Sequence, residues 1–450
     1  VEQHFAYGRQ NWVFGDLDGN IGWTQASRLP IRPAGSKPWL VLPGEDGSAE
    51  WQGYVEPKKI PNALNPAKNY LVTANADPIG VTADNQPTEA QAPAGGYPLY
   101  LSADYDPGTR VSRITQRITA ATAGGGKLDP DSMAAIQADA ITEFGGVLQP
   151  YFVAAARALA EYVAAPASHP EFDGEAGAGV VSDKAEVRAF YETAQKLVAA
   201  WTLDTPSGFE PGITQASIDD SRAMLLVTAF SRRLAELAIG DEAKALSDAE
   251  KGLVVPFAGA SGTRLLPRLL QQPEDLQTGE ILFDNLTTPA VETREIILAR
   301  AVTEAIDWAL TAPALGPDPS TWRWGSVHTV KPAFFLPLPF LDQPDAYPRH
   351  GGAGTVDVAD PGFSDDNYTF RSGAAIRFVC ELDPVKGPVA RNVVPGGQIF
   401  DEASPHYNDQ LKLWAQNKAL NLPFKIEEVV ERAKQEQATN QLGRLRFQPR

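Results

Sequence analysis

A single cysteine, Cys380, stands in the whole sequence, which excludes an intrachain disulfide and a cysteine-rich zinc site. That cysteine falls in AIRFVCELD, an apolar run of strand type, where a buried, inert thiol is the expected reading rather than a nucleophile. Basic residues are short in supply: 39 Lys and Arg face 56 Asp and Glu, for a formal net charge of −17. An acidic balance of that size removes nucleic acid as the natural partner, since phosphate binding needs a basic surface. No run of about 18 apolar residues occurs, so no membrane-spanning helix is expected. HExxH, GxSxG and SxxK are all missing, and His4, His169, His328, His350 and His406 show no metal-ligand spacing. The opening VEQHFAYGRQNWVF has no initiator Met, no basic leader region and no apolar leader region, so a chain cut from a longer precursor is expected.

What is present is an ordinary globular composition, 43% hydrophobic and 21% charged, in a chain long enough to bury a large core. Asn11 to Trp23 reads as a β-hairpin, with Asp18-Gly19-Asn20 supplying turn residues. Pro and Gly punctuate residues 30–66, an ordered loop with short strands, and Tyr70 to Thr73 is a short β-type run leading to Asn75. After Arg110 the spacing of Val111, Ile114 and Ile118 becomes helical, and Asp131 can cap a long helix from Ser132 towards Tyr162. Further helix signals run from Lys184 to Trp201, Ile213 to Ile239 and Thr293 to Leu310, with loops at 166–182 and 203–212. From Thr321 short strands return in TWRWGSVHTV and AAIRFVCELD, followed by helices near 405–418 and 425–437. This order predicts an α+β fold in three stretches: core strands and loops over 1–110, a mainly helical region over 111–320, and returning strands with C-terminal helices over 321–450, all of one structural unit.

Several local motifs fail on inspection. Asp16-Leu17-Asp18-Gly19-Asn20 resembles the start of an EF-hand loop, yet its closing acid would be Ser27, so a hairpin turn is the better reading. Catalysis by Asp16 and Asp18 is disfavoured because hairpin-turn acids are usually solvated. Gly124-Gly125-Gly126-Lys127 lacks the first glycine and the closing Ser or Thr of a phosphate loop and reads as a helix end. His328 and His406 are candidate bases, each more often a structural histidine bonded to backbone. Asn285 and Asn367 fit the glycosylation triplet, a pattern frequent by chance. A side-chain amide, Asn75, and a guanidinium, Arg110, at strand and helix ends are the parts of an oxyanion-stabilising site.

NWVFGDLDGNIGW, LPGEDGSAEWQGY, NYLVTANADP, GTRVSRI, WRWGSVHTV, HGGAGTVDV, RSGAAIRFV, VVPGGQ and SPHYNDQLKLW follow one another in an order that resembles the penicillin acylase family. These are N-terminal-nucleophile (Ntn) amidohydrolases, and the likeness runs from about residue 10 to 420, weakest in the helical middle. The resemblance implies a four-layered αββα sandwich carrying a large helical insertion and completed by other chains. It also implies autocatalytic cleavage of a precursor into a heterodimer whose β chain begins with the catalytic Ser. That Ser attacks an amide carbonyl while its own α-amine, with a pKa near 8, serves as base. By motif, Asn75 is expected to donate its side-chain N–H to the oxyanion, and Arg110 to orient Asn75 and the nucleophile's amine. No cofactor is needed for catalysis, but Asp84 and Pro38 fall near positions that bind a structural calcium in some relatives. Spacing around Asp84 departs slightly from the family.

Val1 has neither hydroxyl nor thiol, so the nucleophile is expected on a companion chain from the same precursor; the competing expectation is an inert fragment. The implied function is removal of an acyl group from a small N-acylated compound, such as a β-lactam or an N-acyl homoserine lactone, in the periplasm or outside the cell. A non-catalytic binding or assembly subunit retaining the fold is the alternative. The substrate-binding residues, and hence the acyl group, are not legible.

Overall fold

The computed structural model describes residues 10–26, 28–78, 99–102, 105–249, 260–271, 281–285, 287–332, 345–362, 368–399 and 401–440. The chain divides into two compact units. One is Val1–Pro130 with Cys380–Ala390 and Leu422–Val429; the other is Asp131–Val379 with Arg391–Asn421 and Val430–Arg450.

The first unit opens with β1 (Gln10–Gly15) and β2 (Ile21–Ala26), paired antiparallel from Gln10↔Ala26 to Gly15↔Ile21. The turn between them is built by Asp16, whose Oδ1 accepts from the Asp18 and Asn20 amides at 3.0 and 2.8 Å and whose Oδ2 accepts from Asn20 Nδ2 at 2.9 Å. Gly19 sits at φ 87°, a conformation open to glycine at no steric cost. The acids of this motif are therefore turn residues, and hydrogen bonds from Asn20 hold the Asp16 carboxyl below its ordinary value. Next, β3 (Asn62–Leu64) pairs with β2 to complete a three-stranded sheet. Tyr70 to Thr73 forms no strand pairing, contrary to its β-type composition. A small core of Leu29, Val55, Ile60, Leu99 and Leu101 lies in this unit. Helix α1 (Thr109–Thr122) follows Gly108.

The second unit is dominated by helices. These are α2 (Pro130–Gln137), α3 (Glu143–Ala164), α4 (Ala185–Ala199), α5 (Gln215–Ala249), α6 (Ala260–Gln271) and α7 (Arg294–Thr311). The single long helix expected from Ser132 is two, because Thr142 ends the intervening segment as an N-cap: its Oγ1 accepts from Gly145 N at 3.0 Å and donates to Ala353 O at 3.0 Å. Helix α5 is buried continuously from Ala223 to Ser231, so it is covered on every side by neighbours, α3, α4 and α7 among them. No helix among the described residues is long and apolar enough to cross a membrane.

TWRWGSVHTV departs from its expected strand. It forms a 3-10 turn, Pro319–Thr321, then α8 (Trp324–Val327), and only Thr329–Val330 as β4. Aromatic and β-branched composition signals burial as readily as extension. Here Trp322 and Trp324 are fully buried, and the Trp324 amide donates to Ser221 Oγ at 2.8 Å. Short strands β5 (Tyr347–Pro348), β6 (Ala359–Pro361) and β7 (Phe370–Gly373) follow, with β4 paired to β5 and β6 to β7. The hairpin β8 (Arg377–Asp383) and β9 (Gly387–Val393) is joined, after α9 (Leu411–Ala415), by β10 (Leu420–Leu422), in the order β10–β9–β8. Helix α10 (Ile426–Asn440) ends the described chain. The helix expected near 405–418 is thus shorter, and Cys380 on β8 is half-buried rather than enclosed. Mixed α and β elements agree with the α+β class.

Candidate functional site

Asn75 adopts a left-handed backbone at φ 60°, which Asn tolerates better than most residues. Its carbonyl accepts from the Asp106 amide at 2.9 Å, so two distant loop segments of the first unit are tied at this point. Arg110, in the first turn of α1, donates from Nη2 to Asn75 Oδ1 at 3.1 Å. The same guanidinium is gripped by Asp106, with Nε 3.0 Å and Nη2 2.9 Å from Oδ2. Asp106 is fixed in turn by the Gly108 amide at 3.1 Å on Oδ1.

This relay has a chemical consequence. A guanidinium occupying Oδ1 settles which way the amide faces, and Asn75 Nδ2 donates to no acceptor among the described residues. Asn75 is exposed, whereas the Arg110 and Asp106 side chains retain 14% and 9% exposure. A pre-aimed amide donor backed by a held cation is what stabilisation of a developing oxyanion requires. Asp106 was not singled out from sequence, yet DPGTR places an acid four residues before the arginine, a spacing at which side chains pair at a helix start.

The other candidates separate cleanly. His328 is fully buried, its Nδ1 2.8 Å from Tyr368 O and its ring stacked on Trp324 at 4.4 Å; burial pushes its pKa down to about 3, so it is a neutral structural histidine. His406 pairs with Asp409 at 2.9 Å at the surface. His169 bridges Glu171 and Glu161 at 2.8 and 3.1 Å. Among the described residues no group of three or more His, Cys, Asp or Glu side chains could hold a metal ion. Asp84, like His4 and Asn367, lies outside the described residues; Pro38, in the 30–66 loop, can offer a cation only its carbonyl oxygen.

A second ionic constellation, unforeseen from sequence, sits in the helical unit. Buried Asp357 accepts on Oδ1 from Arg349 Nη2 at 2.5 Å and Arg377 Nη2 at 2.7 Å, and on Oδ2 from His350 Nε2 at 2.7 Å and Asn417 Nδ2 at 2.8 Å. Both guanidiniums also lie over the Trp414 ring, 5.1 and 5.0 Å from its centroid. Burial alone would raise the Asp357 carboxyl; the His350 hydrogen bond and the two guanidinium charges override it and hold it well below the usual carboxylate range.

Comparison with known proteins places the chain in a family. The family model for penicillin amidase matches residues 2–431. An acyl-homoserine lactone acylase of Pseudomonas aeruginosa is 27% identical over 448 residues, covering 94% of this chain and 46% of that protein. The penicillin acylase 2 proenzyme of a Pseudomonas sp. strain is 32% identical over 413 residues, covering 90% of this chain and 43% of the relative. A thermostable penicillin G acylase from Alcaligenes faecalis superposes with a TM-score of 0.51 at 18% identity, covering 99% of this chain and 68% of that one, which speaks to fold alone. The chain spans about half the length of the curated relatives it matches. With the family model matched over nearly its whole length, the chain belongs to the penicillin amidase family.

Proposed function

We propose that this chain is part of an amide hydrolase that removes an acyl group from a small N-acylated compound, with Asn75 as oxyanion donor and Arg110 as the residue that orients it. The observation that carries this reading is the Asp106–Arg110–Asn75 relay, which leaves Asn75 Nδ2 available to a ligand. Relatives named as acyl-homoserine lactone acylase and penicillin acylase support N-acyl homoserine lactones and β-lactam amides as the first substrates to try.

The nucleophile in this reading is an N-terminal Ser on a segment outside this chain, released by self-cleavage of a common precursor. Its α-amine takes the hydroxyl proton, and Asn75 Nδ2 meets the oxygen that becomes negative as the carbonyl carbon turns tetrahedral. Exposure of all six residues of β1, including Trp12, Val13 and Phe14, supports a companion segment that covers this sheet and completes a four-layered sandwich. A structural calcium held partly by Asp84 and the Pro38 carbonyl, and a periplasmic or secreted location, belong to the same reading. Metal analysis of the purified protein and fractionation of cells test those two points.

The deciding experiment expresses the complete polypeptide, sequences the N-terminus of every chain in the purified particle, and follows amine release from both substrate types. A chain beginning with Ser and an on-the-order-of 10²–10³-fold fall in kcat for Asn75→Ala are expected. Full activity in Asn75→Ala would sink the oxyanion assignment. A particle with no chain starting in Ser, Thr or Cys would favour a non-catalytic binding subunit.

A further inference from the structure

The helical unit contains a cavity of about 490 Å³, within the range of small-molecule sites. Gln137 and Asn417 contribute neutral polar groups to its lining, and the remainder is mainly of two kinds. Ala134, Ala138, Val379, Leu413 and Ala419 supply apolar wall, while Arg377, Arg391 and Lys418 supply positive charge. Asp131 is the one carboxylate in the lining among the described residues; it is 84% exposed and engaged with Arg391 at 2.7 Å.

Positive charge therefore exceeds negative charge at this cavity. Arg377 shares the single carboxylate of Asp357 with Arg349, so two guanidiniums face one acid. Glu210 adds a more distant negative charge felt by Arg349, but its carboxylate is hydrogen-bonded to the Ser207 and Gly208 amides. The Lys418 ammonium has no carboxylate partner among the described residues. In a chain of formal net charge −17, a concave, partly apolar wall carrying unbalanced cations concentrates field where the rest of the protein repels anions.

We propose that this cavity binds a small monocarboxylic acid with an apolar body, its carboxylate against Lys418 and its hydrocarbon against the alanine, valine and leucine wall. Lys418 is suited to the head group because a compact ammonium on a flexible stem can follow a carboxylate without a fixed bidentate geometry. The apolar wall supplies affinity that a bare inorganic anion cannot use. This inference does not rest on the amide-hydrolase reading, and its readout is binding rather than turnover.

Isothermal titration calorimetry on the complete polypeptide, with octanoate, octanamide and inorganic phosphate as probes, tests it. Octanoate should bind saturably, and octanamide and phosphate each about tenfold more weakly or worse, since each lacks one half of the recognition. K418E should weaken octanoate about tenfold or more, while K418R stays within a few-fold of the wild type. Lys418 is exposed, so neither substitution disturbs a buried contact. Octanoate affinity unchanged in K418E, octanamide binding as well as octanoate, phosphate binding as tightly as octanoate, or no octanoate binding at all would each overturn the proposal.

Discussion

The first strand and the fifth helix have opposite relations to water: β1 exposes all six of its residues, whereas α5 buries nine in succession from Ala223 to Ser231. The contrast extends to the units that hold them. One has, among the described residues, a core of five buried residues and a sheet whose Trp12, Val13, Phe14 and Leu64 remain open to solvent. The other has a core drawn from at least four packed helices, sealed by fully buried Trp322, Trp324 and Tyr368. Apolar residues exposed on both faces of one strand form a patch of the kind that marks an interaction surface. The residues proposed for chemistry, Asn75 and Arg110, belong to the unit that is open.

Two substitutions in the closed unit should have the largest effects and would break the contrast if they did not. Asp357→Ala leaves Arg349 and Arg377 without the carboxylate they share, at a cost of about 3–5 kcal/mol. Phe230→Ala opens a void beside Phe152, whose ring lies 5.4 Å away edge-on, and should cost a similar about 3–5 kcal/mol. Guanidinium unfolding followed by circular dichroism measures both. A loss below about 1 kcal/mol at either site would mean that this core is not the self-sufficient one.

A smaller effect of a few kcal/mol is expected from pH. His328 is held neutral to about pH 3 by burial, whereas in the unfolded chain it takes up a proton near pH 6.5. Above pH 6.5 both states are neutral there and the group contributes nothing to the balance. As pH falls from about 6.5 towards 3 the unfolded chain binds a proton that the folded chain refuses, so stability declines through that window. Asp357 adds to the loss only at the acid end: its folded value is depressed, so its contribution is full above its unfolded value near 3.8 and is lost progressively as pH falls from there towards the lower, folded one. Thermal melts between pH 7 and 4 should slope downward, and His328→Gln should flatten that slope.

Much of the architecture was legible, for reasons that also explain the misses. Hairpin and helices followed from local signals: Asp16 and Gly19 at a turn, and 3.6-residue spacing over α1, α4, α5 and α7. TWRWGSV misled because its aromatic residues are buried by tertiary contacts, and the Ser221–Trp324 bond that holds the turn joins segments 103 residues apart. Asn75 and Arg110 came from motif order, which carries chemistry through a resemblance that periodicity does not contain. Asp106 was readable from its spacing to Arg110. The Arg349–Asp357–Arg377–Asn417 cluster was not, because its members come from separate segments and meet only once β8 and the α9 turn are in place.

The smallest expected effect is the most pointed test of the contrast. Phe14 stands about half exposed on β1, over the backbone of Gly22 on the neighbouring strand. In this chain expressed alone, Phe14→Ala removes little buried surface, so stability should change by no more than about 0.5 kcal/mol. In the complete polypeptide the same substitution should cost several times more, because a companion segment would then cover the ring and its removal would leave a cavity. Denaturant unfolding of the two forms, each with and without Phe14→Ala, gives the difference directly. Equal small effects in both would show that this strand stays open to water in the assembled protein. The inference of a covering segment from exposed Trp12, Val13 and Phe14 would then fail, while the Asp106–Arg110–Asn75 relay would stand unaffected.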